Sequence, residues 1–247
     1  MLLIDRQSQI LELLQKNKSA SIDQIAAYVF ASSATVRRDL KDMEKQGKLR
    51  RTRGGAVLFE SSNDEPSANV RMAICKKEKE RVAALALPLL ESGKTYFFDA
   101  SSTVCVLSKA FGYRHKTVIT HGLTCASILS AKDSVNVIIT GGNLSYNSNA
   151  VSGALTMRQL DSYQPDIAVV SCGSLSENAV GEATSEICEI KKKALARSAV
   201  RILLVTADKF DKKTPFVTCA PSYFDYIVSD SKPPESIIKA NPVRFIY

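Results

Sequence analysis

The chain has 247 residues, 45% hydrophobic and 23% charged, which suits a soluble protein of one small and one medium domain, or one larger domain. Its formal net charge is +8, and residues 34–57 hold eight Lys and Arg against three Asp and Glu, a local patch that attracts polyanions or, on charge alone, a solvated helix face. Six cysteines without a C-x-x-C pair, two histidines outside any metal-ligand spacing, no signal peptide and no apolar run near the roughly 18 residues of a membrane span exclude a zinc or His-triad enzyme and a membrane protein, and place the chain in a reducing cytoplasm.

Three helices are expected first. Arg6 to about Asn17 carries Ile10, Leu11, Leu13 and Leu14 at helical spacing. Ser21 caps Ile22 to Val29, and Ser33 caps a third helix with Val36, Leu40 and Met43 inward, ending near Gly47. Residues 49–58 read as a β-ribbon with a basic start and the pair Gly54-Gly55. Residues 60–69 are polar and interrupted by Pro66, the best linker in the chain. Beyond it, helices predicted at 76–91, 102–111, 122–130, 153–161 and 185–198 alternate with short apolar runs at 95–100, 117–120, 135–140, 166–171, 201–206, 226–230 and 243–247. That alternation means a parallel or mostly parallel sheet covered on both faces.

The segment from Ser21 to Ala56 resembles the DeoR-family winged helix-turn-helix. The residues that carry the resemblance are Thr35-Val36-Arg37-Arg38-Asp39-Leu40, followed by the basic Arg50, Arg51 and Arg53 and by Gly54-Gly55-Ala56. With Val36, Leu40 and Met43 inward, Arg37, Arg38 and Lys41 project from the remaining arc. Ser32, Ser33 and Thr35 place hydroxyls at the helix start, the end that enters a major groove. Arg51 and Arg53 on the wing suit phosphates or a minor groove. Asp39 reads as a structural partner of the nearby arginines. The resemblance departs at Phe30, where the family has Gly, at Ala31 for Val, and at Arg53 for His.

Residues 70–247 resemble the DeoR-family sensor domain, which shares its fold with ribose-5-phosphate isomerase and glucosamine-6-phosphate deaminase. The matching segments are YFFDASST, TVITHGL, IITGGNLS, GEATSEICEIKKKAL and LLVTADKF. The resemblance implies a sugar-phosphate pocket at the carboxyl ends of the strands, with Asp99, Ser101, Ser102, Thr103, Thr120, His121, Gly141, Gly142, Lys191 and Lys209 as candidate ligands. Small hydroxyl residues at a helix start suit a phosphate, although Ser101 to Thr103 also fit a plain helix cap and Lys191 a solvated lysine run. Ser101 stands where the family has Gly, Ser102 where it has Thr, and His121 where it has Asn; Thr206 takes the place of the Asp in D-x-S-K, with Asp208 beside Lys209. Cys172 reads as an inert buried thiol.

The expected protein is therefore α/β. A winged helix-turn-helix over 1–59 and a linker over 60–75 lead into a Rossmann-like effector domain over 76–247. The resemblance implies a repressor of a carbohydrate operon, relieved by a phosphorylated sugar. Its partners are an operator in double-stranded DNA and a second copy of the chain at least. No catalytic residue, metal, cofactor or membrane partner is expected. The alternative is a sugar-phosphate isomerase or deaminase fused to a DNA-binding module.

Overall fold

A computed structural model describes residues 3–45, 48–57, 68–145 and 148–247. The chain divides into two compact units, Met1–Ile74 and Cys75–Tyr247. In the first, α1 (Leu3–Asn17), α2 (Ile22–Tyr28) and α3 (Ser33–Lys45) pack around Ile10, Leu14, Ile25, Val36, Leu40, Met43 and Leu49, all buried. The apolar stripes visible in the sequence are therefore the core. Ser21 closes a capping box with Gln24 at the start of α2. The ribbon is β2 (Arg50–Thr52) paired with β3 (Gly55–Val57), but β3 is central: β1 (Ser19–Ser21) adds on its other side. A side chain at Gly55 would stand 2.0 Å from the Ala20 carbonyl oxygen, so close strand approach requires glycine there. The end of α3 near Gly47 and residues 60–67 of the expected linker lie outside the described residues. Residues within 68–75 are not a plain linker, since Ala68–Ala73 form α4 and Val70 is buried in the core of the first unit.

One local reading is corrected. The cap of α3 is Ser32, not Ser33: the Thr35 N–H donates to Ser32 Oγ at 3.2 Å. Phe30, with φ +49, takes the left-handed position after α2 that glycine usually fills. The Ala31 N–H reaches back to the Ala26 carbonyl at 3.0 Å, which closes the turn. The Phe30 side chain is 92% exposed, so nothing in the core rewards the strain.

The second unit begins with α5 (Lys76–Ala86) and continues β4 (Thr95–Phe98), α6 (Ser102–Ala110), β5 (Lys116–Thr120), α7 (Leu123–Ser130), β6 (Val135–Ile139), the hairpin β7 (Asn143–Ser145) and β8 (Ala150–Ser152), α8 (Ala154–Leu160) and β9 (Ile167–Ser171). There follow β10 (Ser174–Leu175), β11 (Val180–Glu182), α9 (Ser185–Ala196), β12 (Val200–Val205), β13 (Phe216–Cys219), β14 (Tyr226–Ser229), α10 (Glu235–Ala240) and β15 (Arg244–Ile246). Seven strands form one parallel sheet in the order β15-β14-β12-β9-β4-β5-β6. Strands β10, β11 and β13 make a small antiparallel sheet beside it. From β4 the chain first builds outward through β5 and β6, then crosses to β9 on the other side. The strand order therefore reverses between β4 and β9, and in open parallel sheets ligands sit at the carboxyl ends beside such a reversal. Among the described residues no helix is long and apolar enough to cross a membrane.

Candidate functional site

In the first unit, burial of Val36, Leu40 and Met43 on one face of α3 turns Arg37, Arg38 and Lys41 outward, and all three are exposed. The two-residue turn Arg53-Gly54 brings the wing alongside. Arg37, Arg38, Lys41, Arg51 and Arg53 line one cavity of about 510 Å³, with Ile22, Leu40, Thr52 and Gly55. Five cations separated by up to 16 positions in the sequence thus share one concave surface. Ser32, Ser33 and Thr35 stand apart from its lining. Ser32 and Thr35 share a hydroxyl–hydroxyl bond of 2.9 Å, and the Ser33 hydroxyl lies 3.5 Å from Asp23. Asp39 is buried, but its partner is Arg6 of α1 at 2.6 Å, not the arginines of its own helix. That pairing leaves Arg37 and Arg38 unconsumed by the acid nearest in sequence. Arg51 is held partly by Glu44, whose carboxylate accepts the Arg51 N–H at 2.8 Å and faces the guanidinium at 3.6 Å.

In the second unit, β4, β5 and β6 run in step: Phe98 pairs with Thr120, and Thr120 with Ile139. Phe97, Ile119 and Ile138 pack into one core cluster. Side chains alternate along a strand, so Asp99, His121 and Thr140, two positions on, lie in a row on that same face. Thr120 points to the opposite face, where its hydroxyl accepts the Gly122 N–H at 3.1 Å. The Asp99 carboxylate, fully buried, accepts the Ser101 N–H and hydroxyl on one oxygen and the Ser171 N–H on the other. Lys191 reaches down from α9 to Asp99 at 3.1 Å, to the Ser171 carbonyl at 2.7 Å and to Glu182. Burial alone would push the Asp99 carboxyl up, but Lys191 and the hydrogen bonds outweigh it and hold the group below its ordinary value. Burial would likewise lower Lys191, yet Glu182 and Asp99 raise it above the usual lysine range.

This arrangement alters the roles expected from the sequence. An ammonium has three donors, and Lys191 spends all three on protein oxygens. Two carboxylates surround one ammonium. His121 is neutral: burial holds it down at about 4. Its Nε2 accepts the Ala100 N–H at 3.2 Å, which makes Nδ1 the donor to the Val151 carbonyl at 3.1 Å. The polar atoms of Lys191 and His121 are thus occupied in holding the loop. Gly141 is likewise engaged, donating to Gln159 at 2.6 Å and accepting from Thr156 at 2.7 Å. Gly142, at φ +141, makes the turn that only glycine enters freely. Ser101 caps α6, Thr103 is buried beside Ser171, and Ser102 is half-buried at the first turn of α6. Lys209 is also half-buried, 3.6 Å from Asp208. Cys172 is buried, which pushes its thiol up to about 12 and leaves it protonated. Sequence reasoning missed Glu182 and Ser171. Glu182 lies inside the quoted GEAT segment, but only the fold shows that it faces Lys191.

Comparison with known proteins agrees with both halves. Residues 6–62 match the family described as the DeoR-like helix-turn-helix domain, and residues 74–231 that described as the DeoR C-terminal sensor domain. The chain is 28% identical over 229 residues to the HTH-type transcriptional repressor GlcR of Bacillus subtilis, covering 93% of this chain and 89% of that one. It is 25% identical over 236 residues to the glycerol-3-phosphate regulon repressor of Escherichia coli, covering 95% and 93%. Among solved structures it is similar to ribose 5-phosphate isomerase A of Methanocaldococcus jannaschii, with a TM-score of 0.42, 16% identity and 56% of each chain covered. With a DNA-reading unit ahead of a sensor unit, the chain belongs to the DeoR family of transcription regulators.

Proposed function

We propose that the chain represses a carbohydrate operon from the cytoplasm, as a homodimer or higher oligomer, and releases its operator when a phosphorylated sugar binds the second unit. The DNA-binding domain in this reading is 1–59 and the effector domain 76–247. Arg37, Arg38 and Lys41 enter the major groove, with Ser32, Ser33 and Thr35 at the mouth of the helix; Arg51 and Arg53 hold phosphates. The supporting observation is the convergence of these five basic side chains on one concave surface.

In this reading the effector site lies at the β4/β9 reversal. Ser101, Ser102 and Thr103 at the start of α6 receive the phosphate, assisted by Lys209, with Thr120, Gly141 and Gly142 shaping the adjoining loops. Asp99, His121 and Lys191 hold the frame. Two relatives named as repressors, one of a glycerol-3-phosphate regulon, support repression and a phosphorylated ligand. Asp99 and Lys191 hold each other in their charged forms and are engaged in the frame, which supports a structural role for the pair. A ligand shifts DNA binding only by its differential affinity for the free and bound forms, so operator and effector must weaken each other equally. The test is release of operator DNA by a panel of sugar phosphates, followed by fluorescence anisotropy. Wild type is expected to respond to one of them and Ser102→Glu to none, with operator affinity intact. A Ser102→Glu protein that releases DNA at the wild-type ligand concentration would place the site elsewhere.

A further inference from the structure

Buried hydroxyls of the second unit find partners within it. Thr120 accepts the Gly122 N–H, Thr156 donates to the Gly141 carbonyl and Thr206 donates to Asp208. Thr140 is the exception among the described residues: it is 2% exposed, and its hydroxyl has no hydrogen-bond partner. Its backbone is fixed, since the Thr140 N–H donates to the Thr120 carbonyl at 3.0 Å. Valine has the same shape without the polar atom, and a buried hydroxyl left unpaired costs free energy. Packing alone therefore gives no reason for threonine at this position.

Its place in the sheet does. Thr140 follows the last residue of β6, in the row with Asp99 and His121 at the carboxyl ends of the strands. β4 and β6 lie two strand spacings apart, about 10 Å. A ligand with its phosphate at the start of α6, after β4, would reach β6 with the far end of its carbon chain. The neighbouring groups set the chemistry of that end. Lys191 is bound to Ser171, Asp99 and Glu182, and both ring nitrogens of His121 are engaged. Neither is left to balance a second anion, whereas a hydroxyl, donor and acceptor at once, pairs with an alcohol. We infer that Thr140 is a ligand contact of the effector site, its hydroxyl bonding an alcohol group of the effector at the end away from the phosphate. The inference rests on the sugar-phosphate reading and adds the residue that recognises the sugar. The hydroxyl is closed to solvent, so the contact forms as the Gly141-Gly142 turn beside it yields.

The experiment compares full-length wild type, Thr140→Val and Thr140→Ser. Each is unfolded thermally without ligand and titrated calorimetrically with inorganic phosphate, glycerol 3-phosphate, ribose 5-phosphate and glucose 6-phosphate. Thr140→Val is expected to melt about 2–4 °C above wild type, because it removes an unpaired buried hydroxyl. It is also expected to bind the ester that wild type prefers about tenfold more weakly, with unchanged affinity for inorganic phosphate. Thr140→Ser keeps the hydroxyl and should keep the wild-type affinity for that ester. A Thr140→Val protein that melts no higher than wild type, or that binds the ester as tightly, overturns the inference. A wild type that binds inorganic phosphate but no ester leaves the phosphate site standing and overturns the alcohol contact. A wild type that binds none of the four defeats the sugar-phosphate reading itself, and the inference with it.

Discussion

In the first unit Arg37, Arg38, Lys41, Arg51 and Arg53 stand around one open groove, while in the second Lys191 is 4% exposed and bonded to Asp99, Glu182 and a carbonyl. The chemistry of the cations is alike, but the surroundings are not. A solvated cation costs little to maintain and stays free to exchange water for phosphate. A buried one must be fully matched, because removing it leaves unpaired charge in a medium of low dielectric constant. In the proposed function the first kind reads a ligand, and the second builds the loop that a ligand meets. A lysine placed by its motif at a sensor site is thus not automatically a phosphate ligand.

The contrast breaks most directly at Lys191. Lys191→Met should strand Asp99 and Glu182 in the interior and destabilise the second unit by about 3–5 kcal/mol, measured by urea unfolding. A variant as stable as wild type would mean that the network is solvated and Lys191 available to ligand. His121 sharpens the same point through pH. Its imidazole protonates near 6.5 when unfolded and about 4 when folded, so between those values the unfolded chain binds more protons. Its contribution is therefore full above 6.5 and falls on acidification, by at most about 1.4 kcal/mol per pH unit. Asp99, held low, adds a loss only at still lower pH. His121→Asn should flatten the dependence between pH 6.5 and 4, and an unchanged slope would contradict a buried neutral ring.

On the other side of the contrast, Arg53→Ala should reduce the salt dependence of DNA binding by roughly one unit of slope without changing base preference. Arg51→Ala should do less, because Glu44 already engages that guanidinium. Competition between selected and scrambled duplexes at several salt concentrations distinguishes these outcomes. The smallest effect is at Phe30, where glycine would relieve a left-handed backbone at an exposed side chain. Phe30→Gly should stabilise the first unit by about 0.5–1 kcal/mol in thermal unfolding, and a loss of stability would mean that the ring is held by contacts in solution.

How far the sequence was legible follows from the range of each interaction. The helices of the first unit and the strands of the large sheet came from local periodicity, and their buried residues are the ones that the pattern marked. The elements missed were short or paired at a distance: β1 beside β3, α4, the β7–β8 hairpin, the β10-β11-β13 sheet and α10. Partners escaped for the same reason. Asp39 bonds Arg6, 33 positions away, instead of a neighbour on its own helix. Lys191 sits in a run of three lysines that looks solvated in sequence, yet it is buried, whereas Lys192 and Lys193 make surface pairs with Glu189 and Asp161. Asp99, Ser101 and the α6 cap could be read as a unit because strand, turn and helix start are contiguous. Glu182 could not, because only the crossover through β11 brings it to Lys191.

In the proposed function, the exposed cations of α3 are the part of this contrast that reads DNA. A duplex selected from random-sequence DNA by the wild-type protein can be titrated, by fluorescence anisotropy, with wild type, Arg37→Ala and Arg38→Ala. Each variant is expected to lose about 1–3 kcal/mol of binding, with its thermal unfolding unchanged because both side chains stand in solvent. Wild-type affinity in both variants would contradict the assignment of α3 as the helix that reads DNA.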